Sequence, residues 1–151
     1  MEFITATEEH LPAIVQLLAD DEFGITRERY EIPLPKEYIE AFAKLNNQIG
    51  NSLIVAIDNG IVVGCLQLTI IPGISRLGAT RGQIEGVRVD KDYRDKGVGE
   101  ELFRYAINQA KTMGCEMVQL TTDKQRKDAH RFYERLGFIT SHDGMKLILS
   151  K

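Results

Sequence analysis

The spacing of apolar residues in the first fifty positions predicts a strand followed by two helices. After a short apolar strand at residues 3–6, apolar residues recur at helical spacing behind Thr7, a residue type that caps helices. A polar stretch at residues 20–36 predicts a surface loop, and the same helical spacing then returns. The two helical stripes consist of Leu11, Ile14, Val15 and Leu18, and of Tyr38, Ile39, Phe42 and Leu45.

The middle of the chain changes to long β-branched runs. Residues 52–57 and 61–71 are joined by Asp58-Asn59-Gly60, and Asn-Gly favours the type I′ turn of a β-hairpin. Pro72 and Gly73 end the second run, and residues 83–89 (QIEGVRV) predict a further strand. This region therefore predicts at least three strands, two of them antiparallel.

The last third returns to helical spacing and then to short strands. A helix is predicted from Gly99 to a C-cap at Gly114, followed by a strand at 116–122 and a helix at 128–137. Residues 138–140 and 145–150 predict two closing strands. The stripe of the long helix consists of Leu102, Phe103, Ala106, Ile107, Ala110 and Met113.

Together these elements predict an α/β fold with a mixed central β-sheet flanked by helices. The strand, loop, helix and strand of residues 84–122 require parallel pairing, whereas the hairpin is antiparallel. With 151 residues, the chain matches the usual size of one domain, about 100–150 residues. We therefore expect a single domain over residues 1–151.

Composition and charge indicate the class of protein but do not indicate a specific function. The chain is 43% hydrophobic and 27% charged, with a net charge of −3 and a pI near 5.6, which argues against a generic nucleic-acid binder. No signal peptide or membrane span is visible. Cys65 and Cys115 lie in apolar stretches and are typical of small buried residues in a reducing compartment. We therefore expect a cytoplasmic protein.

Gly97 and Gly99 stand where the long helix begins, although glycine is a poor helix former. In a strand–helix–strand unit this position lies at the carboxyl end of a strand, where bare amides and the helix dipole attract anions. Gly97 and Gly99 admit a phosphate close to the backbone, and Arg94 can bind it. The alternative is a tight turn alone. A P-loop is absent, and Leu102 replaces the third glycine of a dinucleotide-binding fingerprint.

Two motifs carry a resemblance to a known family. Residues 87–102, V-R-V-D-x-x-Y-R-D-K-G-V-G-x-x-L, resemble motif A of the GNAT N-acetyltransferase superfamily, whose core is [RQ]-x-x-G-x-[GA]. Residues 129–138, A-H-R-F-Y-E-R-L-G-F, resemble motif B, A-x-x-F-Y-x-x-x-G-F. One helix and one strand separate them, as in the family. The sequence departs from the family at Arg126, where an asparagine that contacts pantetheine is common.

The resemblance implies acetyl-CoA as co-substrate and an amine as acceptor. The backbone amides of residues 95–99 would hold the pyrophosphate, and the pantetheine arm would pair with the backbone of residues 87–89 like an added strand. Arg126 and Lys127 could approach the nucleotide phosphates or form a solvated basic cluster. The expected cofactor-binding residues are Val87, Arg88, Val89, Arg94, Asp95, Lys96, Gly97, Val98, Gly99, Arg126 and Tyr133.

Acetyl transfer to an amine needs a base, an oxyanion donor and an acid for the leaving thiolate. The resemblance implies Tyr133 as the acid; the alternative is a core aromatic residue packed on Phe132 and Phe138. Glu85 is the candidate base, because in a regular strand Glu85, Val87 and Val89 share a face. Its alternative is an ion pair with Arg81 or Arg88. The Val87 amide is the expected oxyanion donor.

The sequence leaves two functions open: an N-acetyltransferase that transfers directly in a ternary complex, and a non-catalytic acyl-CoA-binding or regulatory module. His10, His130 and His142 lack metal-ligand spacing, so no metal is expected. Acidic residues in and around the loop at residues 20–36, here called the variable loop, could attract a cationic amine or be ordinary solvated surface. These are Asp20, Asp21, Glu22, Glu28, Glu31 and Glu37. A homodimer through the C-terminal strands is a further expectation.

Overall fold

The computed structural model describes residues 1–150 as one mixed sheet with helices on both faces. The strands are β1 (Glu2–Thr5), β2 (Asn51–Asp58), β3 (Ile61–Ile71), β4 (Arg81–Val89) and β5 (Met117–Leu120). The helices are α1 (Leu11–Ala19), α2 (Gly24–Arg27), α3 (Lys36–Asn47), α4 (Ser75–Gly78), α5 (Val98–Thr112) and α6 (Lys127–Arg135). Two 3-10 turns, Glu8–His10 and Lys91–Tyr93, precede α1 and α5.

The sheet order is β1-β2-β3-β4-β5, with the first four strands antiparallel and β5 parallel to β4. The predicted mixed α/β sheet is therefore confirmed. The hairpin between β2 and β3 turns at Asn59 and Gly60, whose φ angles are 48° and 80°. Positive φ at both central residues is what a type I′ turn requires, so Asn-Gly fits this turn without steric cost.

The two faces of β2 enter different parts of the core. Ile54 and Ala56 pack toward α5, whereas Val55 and Ile57 pack toward α1. A strand covered on both faces has no polar side to present, which explains the uninterrupted apolar run in this part of the sequence. A third cluster, formed by Leu11, Val15 and Phe42, joins α1 to α3.

Helix α5 has more buried residues than any other helix of residues 1–150. Leu102, Phe103, Ala106 and Ala110 have no exposed surface, as the predicted stripe requires. Met113, the last member of that stripe, is 51% exposed because the helix ends at Thr112 and Met113 is its C-cap. No helix within residues 1–150 combines the length and apolar character that crossing a membrane requires.

The two predicted C-terminal strands and the predicted loop at residues 20–36 need correction. Residues 138–140 and 145–150 form no strands in the structure. Met145, Leu147, Ile148 and Leu149 are each more than 70% exposed, so their alternating apolar pattern finds no sheet to pack on within this chain. The polar loop at residues 20–36 contains one helical turn, α2, held by the Glu28 amide bonding to the Gly24 carbonyl.

Candidate active site

A β-bulge in β4 shapes the centre of the candidate site. Gly86 has a φ of +64°, and the β3–β4 register shifts between Cys65 and Gln67. Before the bulge Glu85 is exposed opposite Gln67, and after it Val87 and Val89 pack on the α5 side of the core. The expectation that Glu85 shares a face with these valines is therefore wrong, because the bulge inserts an extra residue between them.

Beyond the same bulge, β4 and β5 separate. Their parallel register runs from Arg81 opposite Met117 to Ile84 opposite Leu120 and goes no further. Residues 85–89 therefore present one strand edge without a partner strand among the described residues. The Val87 carbonyl accepts a hydrogen bond of 2.8 Å from Arg88 Nη1, and the Val89 carbonyl one of 3.1 Å from Arg94 Nε. An open edge of this kind can accept an extended ligand as an added strand.

The first turn of α5 lies at the end of this open edge. Gly97 is the N-cap in left-handed conformation, with a φ of 83°, so the tight turn by itself accounts for this glycine. The first helical hydrogen bond joins the Glu101 amide to the Gly97 carbonyl, which leaves the earlier amides without helical partners. A Cβ on Gly97 would meet nothing within 4 Å, so the space beside this residue is open.

Gly99 connects the helix start to α6. A Cβ at this position would lie 3.5 Å from Phe132 Cζ and 3.7 Å from Val89 Cγ2. Phe132 is the neighbour of Tyr133 in α6, so the start of α5, the open edge of β4 and the candidate acid converge on one region. Lys96 lies above the Tyr93 ring at 5.7 Å, and Arg94 and Asp95 are exposed.

Tyr133 combines a packed ring with a protonated hydroxyl. Its ring lies 5.4 Å from that of Phe103 and 5.5 Å from that of Phe132, so the core packing weighed from the sequence is real. Burial raises the pKa of Tyr133, and the nearby charges of Arg126 and Arg88 oppose that rise. The phenol therefore keeps its proton at neutral pH, as a general acid must.

Asp21 is the site residue that sequence reasoning missed. Its Oδ2 lies 2.7 Å from Arg126 Nη2, 3.2 Å from Arg88 Nη2 and 3.9 Å from Arg27 Nη2. Burial raises the pKa of Asp21, but the hydrogen bond from Arg126 and the charges of the three arginines outweigh burial, and the net pKa is lowered. Asp21 and Arg126 are 105 residues apart, so no local motif could reveal this contact.

Glu85 is predicted either to act as the base or to form an ion pair with Arg81 or Arg88. Arg88 pairs with Asp21, and Arg81 Nη1 donates to Gln119 Oε1 at 3.5 Å. In the described part of the chain neither arginine forms an ion pair with Glu85, so the structural alternative is not observed.

Most acidic residues around the variable loop are engaged by neighbours. Asp21 binds arginines, Glu28 accepts a hydrogen bond of 2.8 Å from the Tyr38 hydroxyl, and Glu31 and Glu37 both pair with Arg29. Four of the six carboxylates therefore have a side-chain partner in the structure.

The remaining nucleophiles and histidines have limited roles. Cys65 is buried and desolvation raises its pKa to about 12, and burial also raises the pKa of the partly exposed Cys115. Neither thiol is a ready nucleophile at neutral pH. His130 is half-buried with Nε2 shielded from solvent. Across residues 1–150, no three His, Cys, Asp or Glu side chains lie together as metal ligands would.

Comparison with known proteins agrees with this geometry. Residues 11–138, which include the bulge, the α5 start and α6, match the Acetyltransferase (GNAT) family. The chain belongs to the GNAT acetyltransferase family. Among solved structures, a transcriptional regulator from Bacillus halodurans C-125 is 47% identical, with a TM-score of 0.95 over 98% of this chain and 99% of that one.

Two relatives of this GNAT chain are named N-acetyltransferases. Aminoalkylphosphonate N-acetyltransferase from Salmonella typhimurium is 34% identical over 88 residues, covering 58% of this chain and 56% of the relative. N-alpha-acetyltransferase MAK3 from Arabidopsis thaliana is 33% identical over 135 residues, covering 89% of this chain and 63% of the relative. The chain therefore spans less than two thirds of the length of both relatives.

Proposed function

We propose that this GNAT chain is an acetyl-CoA-dependent N-acetyltransferase that moves an acetyl group directly to a primary amine in a ternary complex. The observation that carries the proposal is the convergence of the open β4 edge, the first turn of α5 and Tyr133. The acceptor is a small molecule or a protein lysine or N-terminus. Two relatives named N-acetyltransferases support the activity.

The donor side is built from backbone more than from side chains. In this proposal the amides of residues 95–99 bind the pyrophosphate, with Arg94 and Lys96 adding charge. The unpartnered edge of residues 87–89 pairs with the pantetheine arm. The open space beside Gly97 and the amides of the first turn that lack helical partners support this arrangement.

The chemistry is assigned to three groups. Tyr133, protonated at neutral pH, donates a proton to the departing CoA sulfur. The Val87 amide donates to the carbonyl oxygen as negative charge develops on it. Glu85, exposed at the bulge and without an ion pair inside residues 1–150, receives the amine proton through a water. The high pKa values of both cysteine thiols favour direct transfer over an acyl-enzyme route.

The experiment is thiol release from acetyl-CoA against a panel of amines, with Tyr133→Phe beside the wild type. Loss of the acid should lower kcat by about 10²–10⁴-fold, the usual contribution of general acid–base catalysis. The acetyl-CoA Kd and the melting temperature should hardly change, because phenylalanine keeps the ring contact with Phe103. Wild-type turnover that survives in Tyr133→Phe would remove Tyr133 from the mechanism.

A non-catalytic regulatory module is the second candidate, and one observation favours it. The structurally similar protein from Bacillus halodurans is described as a transcriptional regulator. A regulatory module would bind acetyl-CoA in calorimetry yet release no thiol with any amine. Turnover with any acceptor would exclude a purely non-catalytic role.

We also propose that the chain forms a homodimer through its C-terminal segment and works in the cytoplasm. The apolar residues Met145, Leu147 and Leu149 alternate along an exposed segment, and β5 is an edge strand. An apolar strand segment and an open edge on two copies satisfy each other by pairing. Two free cysteines support a reducing compartment.

A further inference from the structure

Three arginines surround one carboxylate beside the candidate reaction centre. We call Arg27, Arg88, Arg126 and Asp21 the arginine cluster. Arg126 bonds to both carboxylate oxygens of Asp21, at 3.4 and 2.7 Å, and Arg88 lies 3.2 Å from Oδ2. Three guanidinium charges face a single carboxylate charge, so the cluster keeps an excess of two positive charges.

Two of the three guanidinium groups are largely shielded from solvent, whereas the Arg27 side chain is 56% exposed. The side chains of Arg88, Arg126 and Asp21 are only 17%, 29% and 13% exposed. Arg88 Nε is shielded from water and has no hydrogen-bond partner within residues 1–150. Besides Asp21, the titratable groups that act on Arg88 are Arg126, Arg27 and the neutral thiol of Cys65. Partly buried positive charge without a matching anion favours binding of an anionic group.

The arginine cluster lies next to the bulge and acts on Tyr133. Arg88 Nη1 donates to the Val87 carbonyl next to the bulge, and both Arg88 and Arg126 act electrostatically on Tyr133. Arg126 is held from the α1–α2 connection, by Asp21 and by the Phe23 ring 4.6 Å from its Cζ. These anchors differ from those of the α5 start, which contacts Phe132 and Val89.

We propose that the acceptor is a primary amine that carries an anionic oxygen group, a carboxylate or a phosphate or phosphonate, bound by Arg88 and Arg126. The inference rests on the proposed acetyl transfer and gives its substrate class. Planar guanidinium groups bind such oxyanions in bidentate fashion. The remaining positive charge also disfavours the ammonium form of the acceptor, which helps to keep its nitrogen free to react.

The transfer itself is balanced without another reactant. The amine nitrogen forms a bond to the acetyl carbon, and the carbon–sulfur bond breaks with its electron pair on sulfur. One proton leaves the nitrogen and one reaches the sulfur, giving the N-acetylated acceptor and CoA thiol. The anionic group takes no part in these bond changes; it only fixes the amine near the bulge.

The test compares acceptors that differ only in the anionic group. Thiol release is measured with 2-aminoethylphosphonate against ethanolamine, with β-alanine against β-alaninamide, and with 1,3-diaminopropane as a cationic amine. At least one anionic member should exceed its neutral partner by about 20-fold or more in kcat/KM, the effect of one or two charge-assisted hydrogen bonds. Which pair shows the larger ratio separates a phosphonate acceptor from a carboxylate acceptor.

Substitutions of Arg126 test whether the arginine cluster causes the preference for anionic acceptors. Arg126→Gln should reduce the preference for the anionic acceptor about tenfold or more by raising KM, while the Kd of acetyl-CoA changes less than about twofold. Arg126→Lys should recover part of the loss because it keeps the charge but not the fork. Arg131→Gln is the control, since Arg131 lies in the same helix, is 73% exposed and pairs with Asp128.

The outcomes separate this inference from the proposed function. Faster turnover of the neutral or cationic amines would overturn the inference and leave the acetyltransferase standing. A rise in the acetyl-CoA Kd of Arg126→Gln with an unchanged acceptor KM would return Arg126 to the donor side and also overturn it. If acetyl-CoA does not bind at all, the function itself fails. If acetyl-CoA binds but no amine is acetylated, binding of 2-aminoethylphosphonate and β-alanine to the CoA-saturated protein is measured by calorimetry. Absence of binding of both anionic amines overturns the inference.

Discussion

The donor side and the acceptor side of this site are built in different ways. The proposed donor side consists of the backbone of residues 87–89 and of residues 94–99, a strand end, the end of a loop and a helix start that lie close together in the chain. The proposed acceptor side brings the side chains of Asp21, Arg88 and Arg126 together from three distant segments. Local backbone geometry makes the first, and tertiary packing makes the second. A substitution on one side should therefore leave the ligand of the other side bound.

The largest effect that would break this separation is expected at Gly99. A Cβ on Gly99 meets Phe132 and Val89, so Gly99→Glu places a carboxylate beside the proposed phosphate site. Like charges at this distance cost several kcal/mol, so the acetyl-CoA Kd should rise at least about 100-fold in calorimetry. Gly99→Ala is the matched control. Its Cβ would make ordinary contacts with Phe132 and Val89, and alanine favours the helix, so the fold should be at least as stable. Unchanged affinity in Gly99→Glu would remove the phosphate site from this helix start.

A smaller effect is expected at Asp21, on stability and not on donor binding. Asp21→Asn leaves Arg88 and Arg126 without their anion and should lower the free energy of unfolding at pH 7 by about 1–3 kcal/mol. The folded state lowers the pKa of Asp21 below its ordinary value of 3.8, so the stability that this carboxylate adds to the wild type is fully present above that pH. It is lost as the pH falls through the lower folded pKa.

Urea unfolding between pH 7 and pH 3 measures this difference, with Asp20→Asn as the control. Asp20 is the exposed neighbour of Asp21 and forms no ion pair in the region that the structure describes. The two variants should differ most at pH 7 and converge at low pH. Equal stability of both variants at pH 7 would show that the arginine cluster does not depend on its carboxylate. The acetyl-CoA Kd of Asp21→Asn should stay within about twofold of wild type.

Substitutions in the C-terminal segment should have the smallest effect on ligand binding at the site, although they should change the oligomeric state. Leu147→Glu combined with Leu149→Glu should convert the proposed dimer to a monomer in light scattering, because each buried leucine contributes about 1.5–3 kcal/mol. Ile49→Glu is the control, since Ile49 is fully exposed outside this segment. A wild-type monomer would refute the dimer. A large loss of acetyl-CoA affinity in the leucine variant would instead connect this segment to the donor side.

Much of the fold, and the two motifs that form the proposed donor side, could be predicted from the sequence because the causes are local. The Asn59-Gly60 turn, the α5 stripe and the cap at Gly97 each depend on conformational preferences of a few consecutive residues. The same holds for the two motifs that indicated the family. The C-terminal segment shows the limit of this reasoning, because an alternating apolar pattern states that a strand can form but does not supply its partner.

The sequence by itself determined the family, the order of the elements from β1 to α6 apart from the short helices α2 and α4, and the positions of Tyr133 and the glycines in their motifs. Only the tertiary structure decided that a bulge at Gly86 separates Glu85 from Val87, and that Asp21 pairs with Arg88 and Arg126. The physical reason is that helix periods, turns and caps are fixed by neighbours along the chain. Charge pairing across 105 residues exists only once the sheet and helices have packed.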